Sequence, residues 1–323
     1  MTQLTLSWMG GFMKNKLSRK GFIKGFSAGL LGTVFIPKVL ASPREVTLKI
    51  LHTNDVHSHI DPFPANHPKY AGLGGAEARA QLIAKERLED PDLLLLDAGD
   101  MFQGTPYYNY FGGELELRLM SAMGYDAGTL GNHEFDNGVE LLADKLAFAR
   151  FPLLNANYDM RGTALNGKIL PYKIIKRKGI RIGLFGLGIK LDGLVDKKLS
   201  KGVAYMDALE AAKRTSLELR HFKKCDLVVC LSHLGYQYST NQVSDLVIAK
   251  NTSDVDIIIG GHTHTFLSDT VFERNSIGKN VLIAQAGWAG VQLGKIIVHF
   301  QTQSKENNGF SSTVIDIKKT SGI

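Results

Sequence analysis

Cysteine is nearly absent from this 323-residue chain, which has two, Cys225 and Cys230. That excludes a disulfide scaffold and a cysteine-rich zinc module. Their odd spacing around one short apolar run places them on opposite faces of a strand, as two buried thiols. The body also lacks an excess of charge. The formal net charge is +7, yet six basic side chains (Lys14, Lys16, Arg19, Lys20, Lys24 and Lys38) and no acid lie in residues 1–41. The remaining 32 Lys and Arg meet 31 Asp and Glu. Nucleic-acid binding needs a basic footprint on the folded body, and this body has none. No apolar run is long enough to span a bilayer. There is no internal repeat and no low-complexity block, so a solenoid is excluded. At 44% apolar and 21% charged residues, wholesale disorder is excluded too.

The basic excess at the N-terminus has its own reading. Residues 14–24 are basic, residues 25–37 are apolar and glycine-rich, and Val39-Leu40-Ala41 is a small-residue cleavage pattern before Ser42. This order is that of an export signal over residues 1–41. Ser18-Arg19-Lys20-Gly21-Phe22-Ile23-Lys24 is similar to the twin-arginine motif, with Lys20 in place of the second arginine. Met13 is a candidate true start. No cysteine stands at the cleavage site, so no lipid anchor is expected. The expected mature product is residues 42–323, periplasmic or otherwise exported, with no stable membrane insertion after cleavage.

Along the mature chain, short runs rich in branched residues recur at 46–51, 93–96, 127–130, 180–187, 227–231, 255–259, 281–284 and 295–300. Between them, 76–87, 114–123, 139–149 and 207–222 repeat apolar residues at helical spacing. Gly74-Gly75 reads as the turn that starts the first of these helices. The polar stretch 301–309 separates a last segment, 310–318, that is either a final strand or a frayed tail. Alternating strands and helices predict an α/β protein with helices outside a sheet core.

The chemistry follows the apolar runs. After them come Asp55-Val56-His57, Gly99-Asp100, Gly131-Asn132-His133-Glu134-Phe135-Asp136, Ser232-His233 and Gly261-His262-Thr263-His264. Five of the ten histidines, His57, His133, His233, His262 and His264, sit in these segments. Open α/β sheets place their sites at such carboxyl ends. Asp, His and Asn together suit a divalent ion such as zinc, manganese or iron. One zinc is satisfied by three or four side chains. Seven candidate ligands, Asp55, His57, Asp100, Asn132, His233, His262 and His264, suggest two ions with one carboxylate shared. Two ions about 3.5–4 Å apart form a clamp for displacement at phosphorus. His52 reads as a residue that either packs on its strand or supports the ligands from behind, and Glu134 as structural. His59, His67, His221 and His299 receive no role.

The order D-x-H, G-D-x-x-x-G, G-N-H-E, H, G-H-x-H resembles the calcineurin-like metallophosphoesterase superfamily. Leu48–Ile60 and Tyr125–Asp136 resemble the two signatures of its 5′-nucleotidase family, and Gln285-Ala286-Gly287 with Leu293-Gly294-Lys295 is similar to the closing strand of that family's catalytic domain. The resemblance implies a four-layer αββα sandwich of two mixed β-sheets flanked by helices. It implies one ion on Asp55, His57, Asp100 and His264, and a second on Asp100, Asn132, His233 and His262. It also implies that His133 is catalytic and that Asp136 orients it, although Asp136 as a cap for the helix near Val139 is the competing reading. Family members that cleave nucleotides continue into a second domain that holds the base. Here that C-terminal domain is expected to be absent, and possible partners are a phosphate-ester or nucleotide substrate and a separately encoded C-terminal domain.

Three functions compete. The first is an exported two-metal phosphohydrolase acting on nucleotides or related phosphate esters. The second is a thiosulfohydrolase of sulfur oxidation, which carries similar motifs. The third is a catalytically silent nucleotide- or phosphate-binding protein, disfavoured by the retention of His133 and Asp136 beside the full ligand set.

Overall fold

In a computed structural model of the chain, residues 45–301, 304 and 307–318 are described. The expected export signal, residues 1–41, lies outside them. The first sheet is built from β1 (Glu45–Thr53), β2 (Leu94–Asp97), β3 (Ala127–Thr129) and β4 (Leu153–Leu154), which run parallel. A small ribbon pairs β5 (Tyr158–Asp159) with a strand further on. The second sheet holds β6 (Tyr172–Arg177) and β7 (Ile180–Gly188), an antiparallel pair. The ribbon partner is β8 (Ala204–Tyr205). Then β9 (Leu227–His233) and β10 (Ile257–Gly260) extend the second sheet in parallel with β7. β11 (Val271–Arg274) and β12 (Asn280–Ala284) complete it in the order β11-β12-β10-β9-β7-β6. β13 (Gln292–Gln301) returns to the first sheet beside β1, and β14 (Asn307–Asp316) closes it in the order β14-β13-β1-β2-β3-β4. The last segment is thus a strand and not a frayed tail.

Alternation along each strand makes the layers. Leu48 and Ile50 of β1, Leu94 and Leu96 of β2, and Leu227, Val229 and Leu231 of β9 share one cluster with Ile257 and Ile259 of β10. All are fully buried between the two sheets. The intervening residues face outward, under helices. Leu51, Leu93 and Leu95 pack beneath α1 (Ala76–Glu89) and α3 (Glu114–Met123), with α2 (Pro106–Phe111) between those two helices in sequence and α4 (Gly138–Lys145) beside them. Val228, Cys230 and Ile258 pack beneath α5 (Ala208–Leu217) and α6 (Asp245–Asn251). The result is the expected four-layer αββα sandwich. Each buried Leu or Ile contributes about 1.5–3 kcal/mol over its exposed state, so the inter-sheet layer holds the strands in fixed register.

Three sequence expectations change. Cys225 and Cys230 are both buried and free, but they belong to the same helix-side core. β9 starts at Leu227, so Cys225 lies in the turn before it and strand alternation does not reach that far. The helix expected over 207–222 is α-helical only to Leu217 and then widens into a π turn, Glu218–Phe222. That turn buries Leu219 and lets the Arg220 guanidinium donate to the carbonyls of Cys225 and Asp226. The helix over 139–149 is α-helical to Lys145 and 3₁₀ from Leu146 to Phe148.

Among the described residues no helix is long and apolar enough to cross a membrane.

Candidate metal centre

The carboxyl ends of β1, β2 and β3 in one sheet meet those of β9 and β10 in the other. Every strand-end motif is therefore delivered to one rim. Asp55, His57 and His264 form one group whose ligand atoms lie within 4.8 Å of one another. Asp100, His233 and His262 form another. Asn132 joins the second group, with its Oδ1 3.0 Å from His262 Nδ1. Asp100 stands between the groups: its Oδ2 is 3.0 Å from His233 Nε2 and 3.9 Å from His57 Nε2. Asp55 Oδ1 is 3.4 Å from His264 Nε2 and 3.9 Å from His233 Nε2. All seven residues expected to hold metal are brought together.

The donors fit divalent cations. His233 is fully buried, and its Nδ1 bonds the Ala98 carbonyl at 2.7 Å. Its Nε2 lies 3.0 Å from Asp100 Oδ2, an ion-pair contact without hydrogen-bond geometry. His57 Nε2 and His264 Nε2 face each other at 3.0 Å. Two imidazole nitrogens and two carboxylates turned toward a common space suit a shared positive charge. Burial lowers the pKa of His57, and burial with His233 nearby lowers that of His262 to about 4. Both are therefore neutral, as ligands must be. Burial would also lower His233, but the Asp100 carboxylate outweighs it and lifts it to about 10. Burial would raise Asp100, and His233 above all holds it well below the usual carboxylate range. A proton on His233 thus balances Asp100, a task that a cation would take over.

Backbone geometry explains how so many ligands converge. Asp55, His57, Asp100, His262 and His264 all have positive φ, between 49° and 73°. Non-glycine residues rarely adopt this conformation, and it clusters where function requires it. Each turn bends the chain sharply off its strand and aims the side chain across the rim. Three glycines make the room. A Cβ on Gly131 would overlap Asp100 Oδ1, and one on Gly261 would stand 2.8 Å from His233 Nδ1 and 3.0 Å from Asp55 Oδ2. A Cβ on Gly99 would stand 2.9 Å from His233 Nδ1.

Glu134 is structural, as expected. Its buried carboxylate accepts the amides of Gly131 (2.6 Å), Asp100 (3.0 Å), Met101 (2.9 Å) and Phe102 (3.2 Å), and so fixes the Asp100 turn. Burial, and then Asp100, push its pKa up to about 8, against His233 and the amides of Gly131 and Asp100. Asn54 is a brace that the sequence did not single out. Its Nδ2 donates to Asp55 Oδ2 (2.6 Å) and to the Gly287 carbonyl (2.7 Å), and its Oδ1 accepts the Ala286 amide (2.8 Å). Only its place beside Asp55 hinted at this. His52 is a packing residue: it is buried opposite Gly294, whose missing side chain it fills.

His133 sits at the edge of the site, half-buried, with its ring 5.2 Å from that of His57. Its Nδ1 bonds Asp136 Oδ2 at 2.6 Å. Asp136 does not cap α4, whose N-cap is Asn137 without a side-chain bond. Burial lowers the pKa of His133, but Asp136 and then Asp100 outweigh it, so the net shift is upward. His133 also falls within ligand distance of His57 and Asp100. The bond to Asp136 occupies one ring nitrogen, Nδ1. Gly75 ends the turn before α1, and the Ala76 amide is taken by the Ile60 carbonyl at 2.8 Å, so this helix start holds a turn.

The calcineurin-like phosphoesterase family model matches residues 48–266. A snake venom 5′-nucleotidase of Naja atra is 33% identical over 278 residues, covering 80% of this chain and 51% of its own length. A solved 5′-nucleotidase precursor of Thermus thermophilus superposes with a TM-score of 0.76 at 33% identity, covering 84% of this chain and 55% of that one. The calcineurin-like phosphoesterase YfkN of Bacillus subtilis superposes with a TM-score of 0.70 at 25% identity, covering 85% and 92%. The chain spans about half the length of the curated relatives it matches. Fold, motif order and the converging donor set all agree with the family match, and the chain belongs to the calcineurin-like phosphoesterases, a family of metal-dependent phosphoester hydrolases.

Proposed function

We propose that the chain is an exported two-metal phosphohydrolase that cleaves nucleotides or related phosphate esters, with residues 42–323 as its catalytic domain. The observation that carries this reading is the pair of adjacent three-donor groups, Asp55/His57/His264 and Asp100/His233/His262, with Asp100 facing both. One ion is assigned to Asp55, His57, Asp100 and His264, and the other to Asp100, Asn132, His233 and His262. Two divalent ions held there would draw charge from a phosphoryl group and lower the pKa of the water that attacks it.

The chain's own residues do the rest. Asp136 holds His133 in one tautomer and keeps its pKa up, so His133 can carry a proton. Its Nε2 then gives that proton to the departing oxygen or stabilises its charge. Glu134 keeps the Asp100 turn rigid while charge moves above it.

The site reads phosphate and says little about the base. We therefore assign base selectivity to a second domain supplied from outside residues 42–323, on this or a separately encoded polypeptide. The test is metal-reconstituted protein assayed on AMP, GMP, UMP, ribose 5-phosphate and nitrophenyl phosphate, with elemental analysis in parallel. Two ions per chain and turnover of several esters are expected. Two bound ions without turnover of any ester would sink the hydrolase reading. Base discrimination near a hundredfold, about 2.7 kcal/mol, by residues 42–323 alone would place the base site on this domain.

A further inference from the structure

We propose that Trp288 is a positioning residue for His264, and through it for the ion assigned to Asp55, His57 and His264. This inference rests on the two-metal reading above.

Metal-binding histidines are usually fixed by a hydrogen bond from the ring nitrogen that faces away from the ion. His233 has such a bond to the Ala98 carbonyl, and His57 Nδ1 lies 3.3 Å from the Phe102 carbonyl. His264 differs. Its Nε2 faces His57 and Asp55, and among the described residues nothing bonds its other ring nitrogen. Its side chain is 40% exposed, whereas those of His57 and His233 are 7% and 0% exposed. Burial therefore does not fix the ring, and its bonded contact is on the metal-facing side, where His57 meets Nε2 and the two rings lie edge-on at 5.0 Å. On the other side its neighbour is Trp288, whose ring lies nearly parallel at 7° with centroids 5.6 Å apart.

Trp288 is itself held from both sides. Before it, the Ala286 amide and the Gly287 carbonyl are clamped by Asn54, and the Gly287 amide donates to the Thr265 carbonyl at 3.0 Å. After it, the Ala289 amide donates to the Asp55 carbonyl at 2.7 Å. The indole edge is packed by His59 and Phe63, at centroid distances of 5.4 and 6.1 Å, and its Nε1 lies 3.3 Å from the Tyr70 hydroxyl. The Trp288 backbone is thus tied to the segment that bears Asp55, and its ring transmits that position to His264. Stacking of this kind adds to the burial of both rings and biases a half-exposed imidazole toward one rotamer.

The experiment uses the full chain with Trp8 replaced by Phe, which leaves Trp288 as the sole indole. Apoprotein is titrated with Mn²⁺ and Co²⁺. Bound metal is measured by equilibrium dialysis with elemental analysis, and indole emission is followed in parallel. The parent should bind two ions, and filling of the site at His264 should quench Trp288. Trp288→Leu should weaken one of the two ions by about tenfold or more and leave the other unchanged. Trp288→Phe, which keeps an aromatic face, should recover most of that loss. His264→Ala should abolish the quenching phase. If Trp288→Leu binds both ions as the parent does, the inference falls and the two-metal reading stands. Equal weakening of both ions by Leu and Phe alike would show a packing role and overturn it as well. A parent that binds fewer than two ions would overturn the two-metal reading and the inference together.

Discussion

The two ends of the sandwich use the same amino acid in opposite ways. At the amino ends of the strands, an aspartate stands immediately before β3, β9 and β10: Asp126, Asp226 and Asp256. Each accepts a backbone amide of a neighbouring segment, from Leu95 (3.0 Å), Arg181 (2.8 Å) and Val228 (2.8 Å) respectively. Asp126 pairs with Arg177 at 2.7 Å, and Asp256 pairs with Arg220. At the carboxyl ends, Asp55 and Asp100 are more deeply buried, and among the described residues neither pairs with Lys or Arg. They face imidazoles instead, in turns with positive φ. A half-buried carboxylate matched to a guanidinium closes a sheet end and contributes modest stability. A buried carboxylate matched to titratable rings is an unfinished electrostatic arrangement that a cation completes. The amino end serves stability, and the carboxyl end gives stability up for a site.

Four substitutions, two of them with a companion variant, test that contrast, in order of decreasing effect. Asp100→Ala removes the carboxylate that faces both groups. It should lose more than one metal's worth of binding and lower turnover by at least on the order of a thousandfold. Elemental analysis beside His264→Ala, which should lose less, checks this, and equal losses would mean that Asp100 does not serve both groups. His133→Ala should keep both ions and lower turnover by about 10²–10⁴-fold. The loss should shrink on nitrophenyl phosphate, whose leaving group needs little help, and Asp136→Asn should repeat the pattern more weakly. Loss of metal in His133→Ala would make His133 a ligand. Gly131→Ala drives a methyl into Asp100 Oδ1 and should weaken metal binding by about 10–100-fold, as read by dialysis. Unchanged affinity would show that the Asp100 turn yields easily. Asp126→Ala, at the other end, should cost about 1–2 kcal/mol in denaturant unfolding and leave metal content and turnover unchanged. A drop in turnover there would break the separation of the two ends.

Much of this was legible in the chain. The runs that became β1, β2, β7, β9, β10 and β13 show branched residues that no helix pattern explains. The short or half-exposed elements were not legible. β6 reads Tyr172–Arg177 with three basic residues, because an edge strand faces water on one side. α6 has seven residues, too few for a helical period to declare itself. All seven candidate ligands were named from their motifs, and all seven converge. Trp288 and Asn54 were not named, because nothing local distinguishes an aromatic or amide that braces a ligand from one that merely packs. The error over Cys225 has the same root: a run of apolar residues does not reveal where its strand begins.

The sequence by itself determined which side chains carry the chemistry and that they follow strands, because side-chain type and hydrophobic period are local properties. The four-layer arrangement was implied by the family resemblance, and the runs of β1 and β9, packed on both faces, agree with it. Only the tertiary structure decided that Asp55 and His262, 207 positions apart, would touch through the His262 amide at 2.9 Å. That contact depends on two sheets of different strand order packing face to face with their carboxyl ends at one rim. It depends equally on left-handed turns at five of the ligands. Such turns are costly in isolation and persist only where the surrounding packing and hydrogen bonds overdetermine them, so no local pattern announces them.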